Sequence, residues 1–236
     1  AQGLSEGGLG LAKIVPILVA VNILVNMIGI TGIAPKMGGL IMEVGGENLF
    51  LALFIATIIP FLLGTSLPVV PTYILSLSIL GPSLLQLGVD QIAMHLFFIY
   101  WAILGAVTPP TCTSAIVAAG IAKSNWFKTS LVAVRLGVVA FIVPFFFVIN
   151  PALVGRSDIL SVILYGGSAF IGALVLAYGF FAQIKTKYVI VLRLVIIISG
   201  ILFMYPNHLL SILGMIILVP HFLLKNYEDK KLETVV

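Results

Sequence analysis

The stretch LLGTSLPVVPTYILS, Leu62–Ser76, decides how this sequence folds. It sets a Gly-Thr-Ser triplet and two prolines inside residues 48–89, which hold no Asp, Glu, Lys or Arg. Proline removes a backbone donor and clashes with the preceding turn, so a helix is disturbed at Pro68 and Pro71. The residue before a proline is also pushed toward extended backbone. A helix therefore breaks here, within a segment whose composition belongs in lipid.

The rest of the chain agrees with that setting. Its 236 residues are 61% hydrophobic and 8% charged, with mean hydropathy +1.25, where soluble domains carry about 25% charged residues. Apolar runs of 18 or more residues recur, long enough for a hydrocarbon core of ~30 Å. The expected class is an all-α, polytopic membrane protein. The net charge of +4 is spread as single or paired basic residues, so it reports orientation rather than nucleic-acid binding. Cys112 is the single cysteine, which excludes an internal disulfide and argues against a metal cluster. The opening AQGLSEGGLG lacks a leader's order of basic, apolar and cleavage regions, and reads as a chain entered midway.

A first span is expected over 14–34. Next comes PKMGGLIMEVGGEN with Lys36, Glu43 and Glu47, read as a surface-lying helix or loop. A further span over 129–148 has Pro144 inside it, and three simple spans are expected at 159–182, 188–205 and 207–224. Lys123 and Lys128, Lys185 and Lys187, and the basic tail from Lys225 to Lys231 mark one side, against Arg156 alone on the other. That asymmetry makes the first set and the C-terminus cytoplasmic. The bare segment 48–89 then starts and ends on the outer side.

Two readings of 48–89 give that result: two full spans, or a re-entrant hairpin with its tip at Gly64–Pro71. The expected arms, 49–63 and 69–80, would be about 22 and about 18 Å long as helix. Both are short of the bilayer core, which favours the hairpin. A second break, GAVTPPTCTS at 105–114, interrupts residues 91–122, equally free of charge; as one helix they would run about 48 Å. Backbone groups released at mid-depth must be buried in protein or line a polar cavity. Thr65, Ser66 and Thr72 gather at the first break, and Thr108, Thr111, Thr113 and Ser114 at the second. Uncharged oxygens at paired helix breaks suit a small hard cation, and a half-helix N-terminus suits an anion.

These residues also carry a family likeness. The run GTSLPVVPTYILSLSILGPSLLQLGVDQIAMHLFFIYWAILGAVTPPTCTSAIVAAGIA, followed by GVVAFIVPFFFVINPALVG, resembles the large membrane subunit of tripartite ATP-independent periplasmic (TRAP) transporters. The likeness is strongest over 49–154 and is closest to the branch served by TAXI-type binding proteins. It implies half of an inverted-repeat elevator transporter: a first span and surface-lying linker 1–48, a re-entrant hairpin 49–88, a discontinuous helix and following span 89–154, and a three-span extension with a cytoplasmic tail 155–236. It implies sodium at Gly64, Thr65, Ser66, Gly105, Thr108 and Thr111, with Gly64, Thr65, Gly105 and Thr108 as the metal set. A small organic anion would lie beside Ser66, Pro68, Thr72, Pro109, Pro110 and Thr113. The implied partners are a periplasmic TAXI-type binding protein, a small membrane subunit or fused equivalent, and a first repeat missing from this chain, in a bacterial inner membrane. The family's tip runs closer to Gly-Met-Gly-Leu-Pro-Thr-Thr; here Thr65 and Ser66 are gained and Val69 and Val70 replace hydroxyls. That departure leaves the solute open, and protons instead of sodium remain an alternative.

Elsewhere the residues have plainer readings. Asn22 and Asn26 share a helix face as interhelical glue, Arg135 anchors at the cytoplasmic surface, and His95 lies near the outer boundary beside Asp90. An enzyme using Ser66, His95 or Cys112 is the alternative of a different class. It is disfavoured because neither break holds a carboxylate to orient a base.

Overall fold

The computed structural model describes residues 19–20, 23, 26–27, 30–109, 112–182 and 189–218. Those residues are helical or connecting, as the composition requires. The helices are α1 (Ile33–Glu47), α2 (Leu49–Ser66), α3 (Val69–Gln86), α4 (Gln91–Val107), α5 (Thr113–Ile121), α6 (Trp126–Leu136), α7 (Val138–Ile149), α8 (Ile159–Phe181), α9 (Val189–Met204) and α10 (His208–Leu218). A 3₁₀ turn covers Pro151–Val154. The chain forms two compact units, Ala1–Gly137 and Val138–Val236. The expected first span lies largely outside the described residues, as do Asn22 and the basic groups at 183–188 and 219–236.

In the first unit, the starts of α2, α4 and α6 are fixed by side-chain caps, whereas α1 starts on Gly32 without one. Asn48 accepts from Leu51 N–H, Asp90 from Ile92 and Ala93 N–H, and Asn125 from Lys128 N–H. Such caps satisfy amide donors that the first turn leaves without intrahelical partners. The arms α2 and α3 are 18 residues each, about 27 Å long. The expected arms stop short of this, at Leu63 and at Leu80. Helix α3 instead runs through Pro82, as α2 runs through Pro60. Arm length therefore does not distinguish a hairpin from two spans. By length and apolarity α3 and α8 each suffice to cross a membrane.

The two arms are held differently. Helix α2 lies chiefly along α4, whereas α3 lies against α1 and α4 more than against α2. Phe61 meets Trp101 edge-on, and Gly64 meets Ala102 and Gly105, so α2 and α4 run in the same direction. Leu53 on α2, Leu75, Leu80 and Leu84 on α3, and Phe97 and Phe98 on α4 are buried. Helix α1 is more than a surface element: Ile41 is fully buried, and Gly38 admits Ser83 against its backbone, while Lys36 and Glu43 stay exposed. Lys36 and Glu43 mark only the outward face.

The expected span over 129–148 is delivered as two helices that divide at Gly137, with Pro144 inside α7. The second unit is joined by small residues. Gly172 and Gly200 bring α8 and α9 to backbone contact, the close approach on which membrane helix packing relies. Ser168 donates to the Phe203 carbonyl, Ser199 to that of Gly214, and fully buried Asn150 to that of Met204. Helix α8 starts on an Asp158 cap, which accepts from Ser161 N–H at 3.1 Å. Ser161's side-chain and backbone hydrogen bonds hold this exposed carboxyl below the usual carboxylate range. A lowered carboxyl contributes stability that is complete above its unfolded value and is lost as pH falls through the folded one. Thermal melts of the full chain in detergent should lose part of their fall between about pH 5 and about pH 3 in Asp158→Asn, which keeps a capping oxygen without the titration.

Candidate functional site

The two breaks follow one local recipe. Helix α2 ends at Ser66, Leu67 turns extended (φ −113°, ψ 155°), Pro68 follows, and α3 begins at Val69. Helix α4 ends at Val107, Thr108 turns extended (φ −99°, ψ 137°), and Pro109 follows. In both, proline forces its predecessor out of helical backbone. The pattern Gly-x-x-x-Pro occurs at each, Gly64 to Pro68 and Gly105 to Pro109. Its repetition was the unread signal in the sequence.

Those two glycines touch. A Cβ placed on Gly105 would lie 2.5 Å from the carbonyl carbon of Gly64 and 2.9 Å from Thr65 N. One on Gly64 would lie 2.8 Å from Ala102 O. Real side-chain carbons do not tolerate such contacts, so only glycine permits this approach. The result is two parallel helices whose C-terminal ends lie side by side. Each such end carries about half a negative elementary charge from its carbonyl groups, so the pair amounts to about one. Residues 48–89 and 91–122 supply no charged side chain to offset it.

The hydroxyls at this seam are oriented by their own helices. Thr65 donates to the Leu62 carbonyl at 2.8 Å and Thr108 to that of Leu104 at 2.7 Å. A hydroxyl that donates its proton this way acts elsewhere through its lone pairs. Thr65 and Thr72 are buried, and Ser76 donates to the Thr72 carbonyl at 2.7 Å. Pro68 is exposed and Pro109 half-buried. Ser66 closes α2 and Thr113 opens α5, while Pro110 and Thr111 lie outside the described residues.

The helix starts at the breaks also differ from those of α2, α4 and α6. Pro68 before α3 and Cys112 before α5 provide no side-chain cap. Cys112 is fully buried at φ 29°, a conformation that L residues seldom adopt. The grouping required by the enzyme alternative does not form. His95 bonds Tyr73, and it lies twelve residues before the end of α4, about 18 Å along the helix, whereas Cys112 follows that end.

The fold is that of an all-α, multi-pass membrane protein in which the break after α2 lies against the end of α4. The family model described as "Tripartite ATP-independent periplasmic transporter, DctM component" matches residues 1–162, and the chain belongs to that family. It is therefore the membrane permease component of a TRAP secondary transporter, a kind that works with a substrate-binding protein and a small membrane subunit. Neither the curated proteins nor the solved structures gave a match to set beside it.

Proposed function

We propose that this chain carries the hairpin and broken helix of a sodium-coupled permease that takes up small organic anions by an elevator movement. The contact between Gly64 and Gly105 is the observation that carries the reading. Two carbonyl ends with a combined charge of about −1 call for one monovalent cation, and hydroxyl and peptide oxygens suit a hard ion. Gly64, Thr65, Gly105 and Thr108 are the proposed oxygen set, to which Ser66 and Thr111 belong by sequence position alone. The uncapped starts of α3 and α5 offer amide groups to a carboxylate, so the solute sits near Ser66, Pro68, Thr72, Pro109, Pro110 and Thr113.

The depth of the tip supports re-entrance better than arm length does. The tip lies level with the break, and a nine-residue helix separates that break from Lys123, about 14 Å of rise. In this reading a first repeat of the same permease, a fused or separate small subunit and a TAXI-type periplasmic binding protein complete the transporter. It sits in the bacterial inner membrane with the C-terminus in the cytoplasm. Proteoliposomes holding the completed transporter and its binding protein should accumulate solute under an inward sodium gradient. Accumulation driven by a proton gradient alone would replace sodium with the proton.

A further inference from the structure

Between α1 and α3 lies a cavity that neither break uses. Its volume is about 440 Å³, within the range of small-molecule sites, about 300–1,000 Å³. Gly39 and Met42 of α1 form one side, and Ile79, Pro82, Ser83 and Gln86 of α3 the other. No charged side chain is among its lining residues. Two other serines of α3 donate to their own helix, Ser76 to the Thr72 carbonyl at 2.7 Å and Ser78 to that of Ile74 at 2.8 Å. Ser83 does not. It is 8% exposed, and its hydroxyl has no hydrogen-bond partner among the described residues. A Cβ on Gly38 would strike Ser83 Oγ, so α1 makes room for this hydroxyl without bonding it. One on Gly39 would meet nothing within 4 Å, which leaves the floor beside it open. A buried hydroxyl left unbonded is costly, and here it borders a space that an acceptor can enter.

We propose that this cavity binds the glycerol diester of one membrane lipid, with Ser83 and Gln86 donating to its two ester carbonyls. Gln86 stands one turn beyond Ser83 on the same side of α3, about 4.5 Å further along the axis. Esters on adjacent glycerol carbons can meet donors so placed. Ser83 has one O–H to give and the Gln86 amide two N–H groups. The ester fits the charge of the site, since the lining holds no cation for a phosphate or a carboxylate. Depth agrees. Gln86 ends α3 four residues before Asp90, the first charged residue after the bare stretch 48–89. The cavity therefore opens where hydrocarbon gives way to headgroups, and Ile79, two turns deeper, lies along the path of an acyl chain. Leu40 and Leu85, next to lining residues in the chain, are exposed apolar side chains suited to lipid. The glycine floor lasts one turn of α1 before Met42, room for an ester-linked chain but not for a partner helix about 10 Å across. A lipid held here bridges α1 and α3.

The test needs no transport, so its outcome is separate from that of the permease reading. A phosphatidylcholine with a diazirine near the ester end of one acyl chain is photolysed with the full chain in neutral detergent, and labelled peptides are mapped by mass spectrometry. Label should concentrate on peptides holding residues 38–42 and 79–86. Unlabelled diester phosphatidylcholine should displace it, whereas the diether analogue, which lacks both carbonyls, should need at least about fivefold more. Ser83→Ala should weaken labelling by about 2-fold to about 12-fold, the worth of one neutral hydrogen bond. Gly39→Leu fills the open floor and should remove the label there, with a thermal melt to show that the chain still folds. Equal displacement by diester and diether, label spread evenly over the exposed helix faces, or label undiminished in Gly39→Leu would overturn the site. A photoreactive methionine analogue at Met42 that captures a polypeptide and no lipid would do the same.

Discussion

Gly105→Ala should abolish sodium-stimulated uptake while leaving the chain in the membrane. Its new carbon points into the peptide of Gly64 and Thr65, at 2.5 to 2.9 Å, and backbone cannot swing aside as the end of a flexible side chain can. Over-packing of this kind costs about 1–3 kcal/mol. Applied to the closed seam alone, that is a loss of about fivefold to about 160-fold in its population. Gly64→Ala should do the same from the other side, through Ala102 O at 2.8 Å. Gly120→Ala is the control, because nothing lies within 4 Å of the added carbon and α5 there is exposed. Uptake against sodium concentration, normalised to the amount of protein in the membrane, measures all three. Uptake in Gly105→Ala equal to that of Gly120→Ala would remove the glycine seam from the mechanism.

Thr108→Val should raise the sodium concentration needed for half-maximal uptake by about tenfold, the equivalent of one lost hydrogen-bond-strength interaction with a charge, about 1.5 kcal/mol. Valine keeps the shape of threonine and the extended backbone that Pro109 imposes, so only the oxygen is lost. Thr108→Ser restores that oxygen and should recover most of the affinity. Thr65→Val should behave alike, since its hydroxyl is held by the Leu62 carbonyl just as that of Thr108 is held by Leu104. A Thr108→Val variant with unchanged sodium dependence but slower maximal uptake would place the hydroxyl in the movement rather than at the ion.

Much of this architecture was readable in the residues. Two long stretches without charge, each interrupted by proline among hydroxyls, gave the two helix breaks, because proline acts on its neighbours whatever surrounds it. Thr108 has the extended backbone expected of a residue before proline. The sequence was less informative about Gly-Pro at 81–82, where the helix continues: a proline within a packed membrane helix can be accommodated once neighbours satisfy the released carbonyl. The inward face of α1 was hidden behind Lys36 and Glu43. The meeting of Gly64 with Gly105 depends on parallel packing of two helices, which no local preference encodes. His95 was read as an interfacial residue for the same reason. Its partner Tyr73 lies 22 positions away on another helix.

Cys112 gives this chain a built-in reporter. Its sulfur is sealed from solvent at the start of α5, in the gap between the two half-helices, and it is the sole thiol present. Alkylation of the unaltered protein therefore records how often that gap unzips. Comparing the rate with and without salt of the coupling ion would time the excursion without changing a single residue.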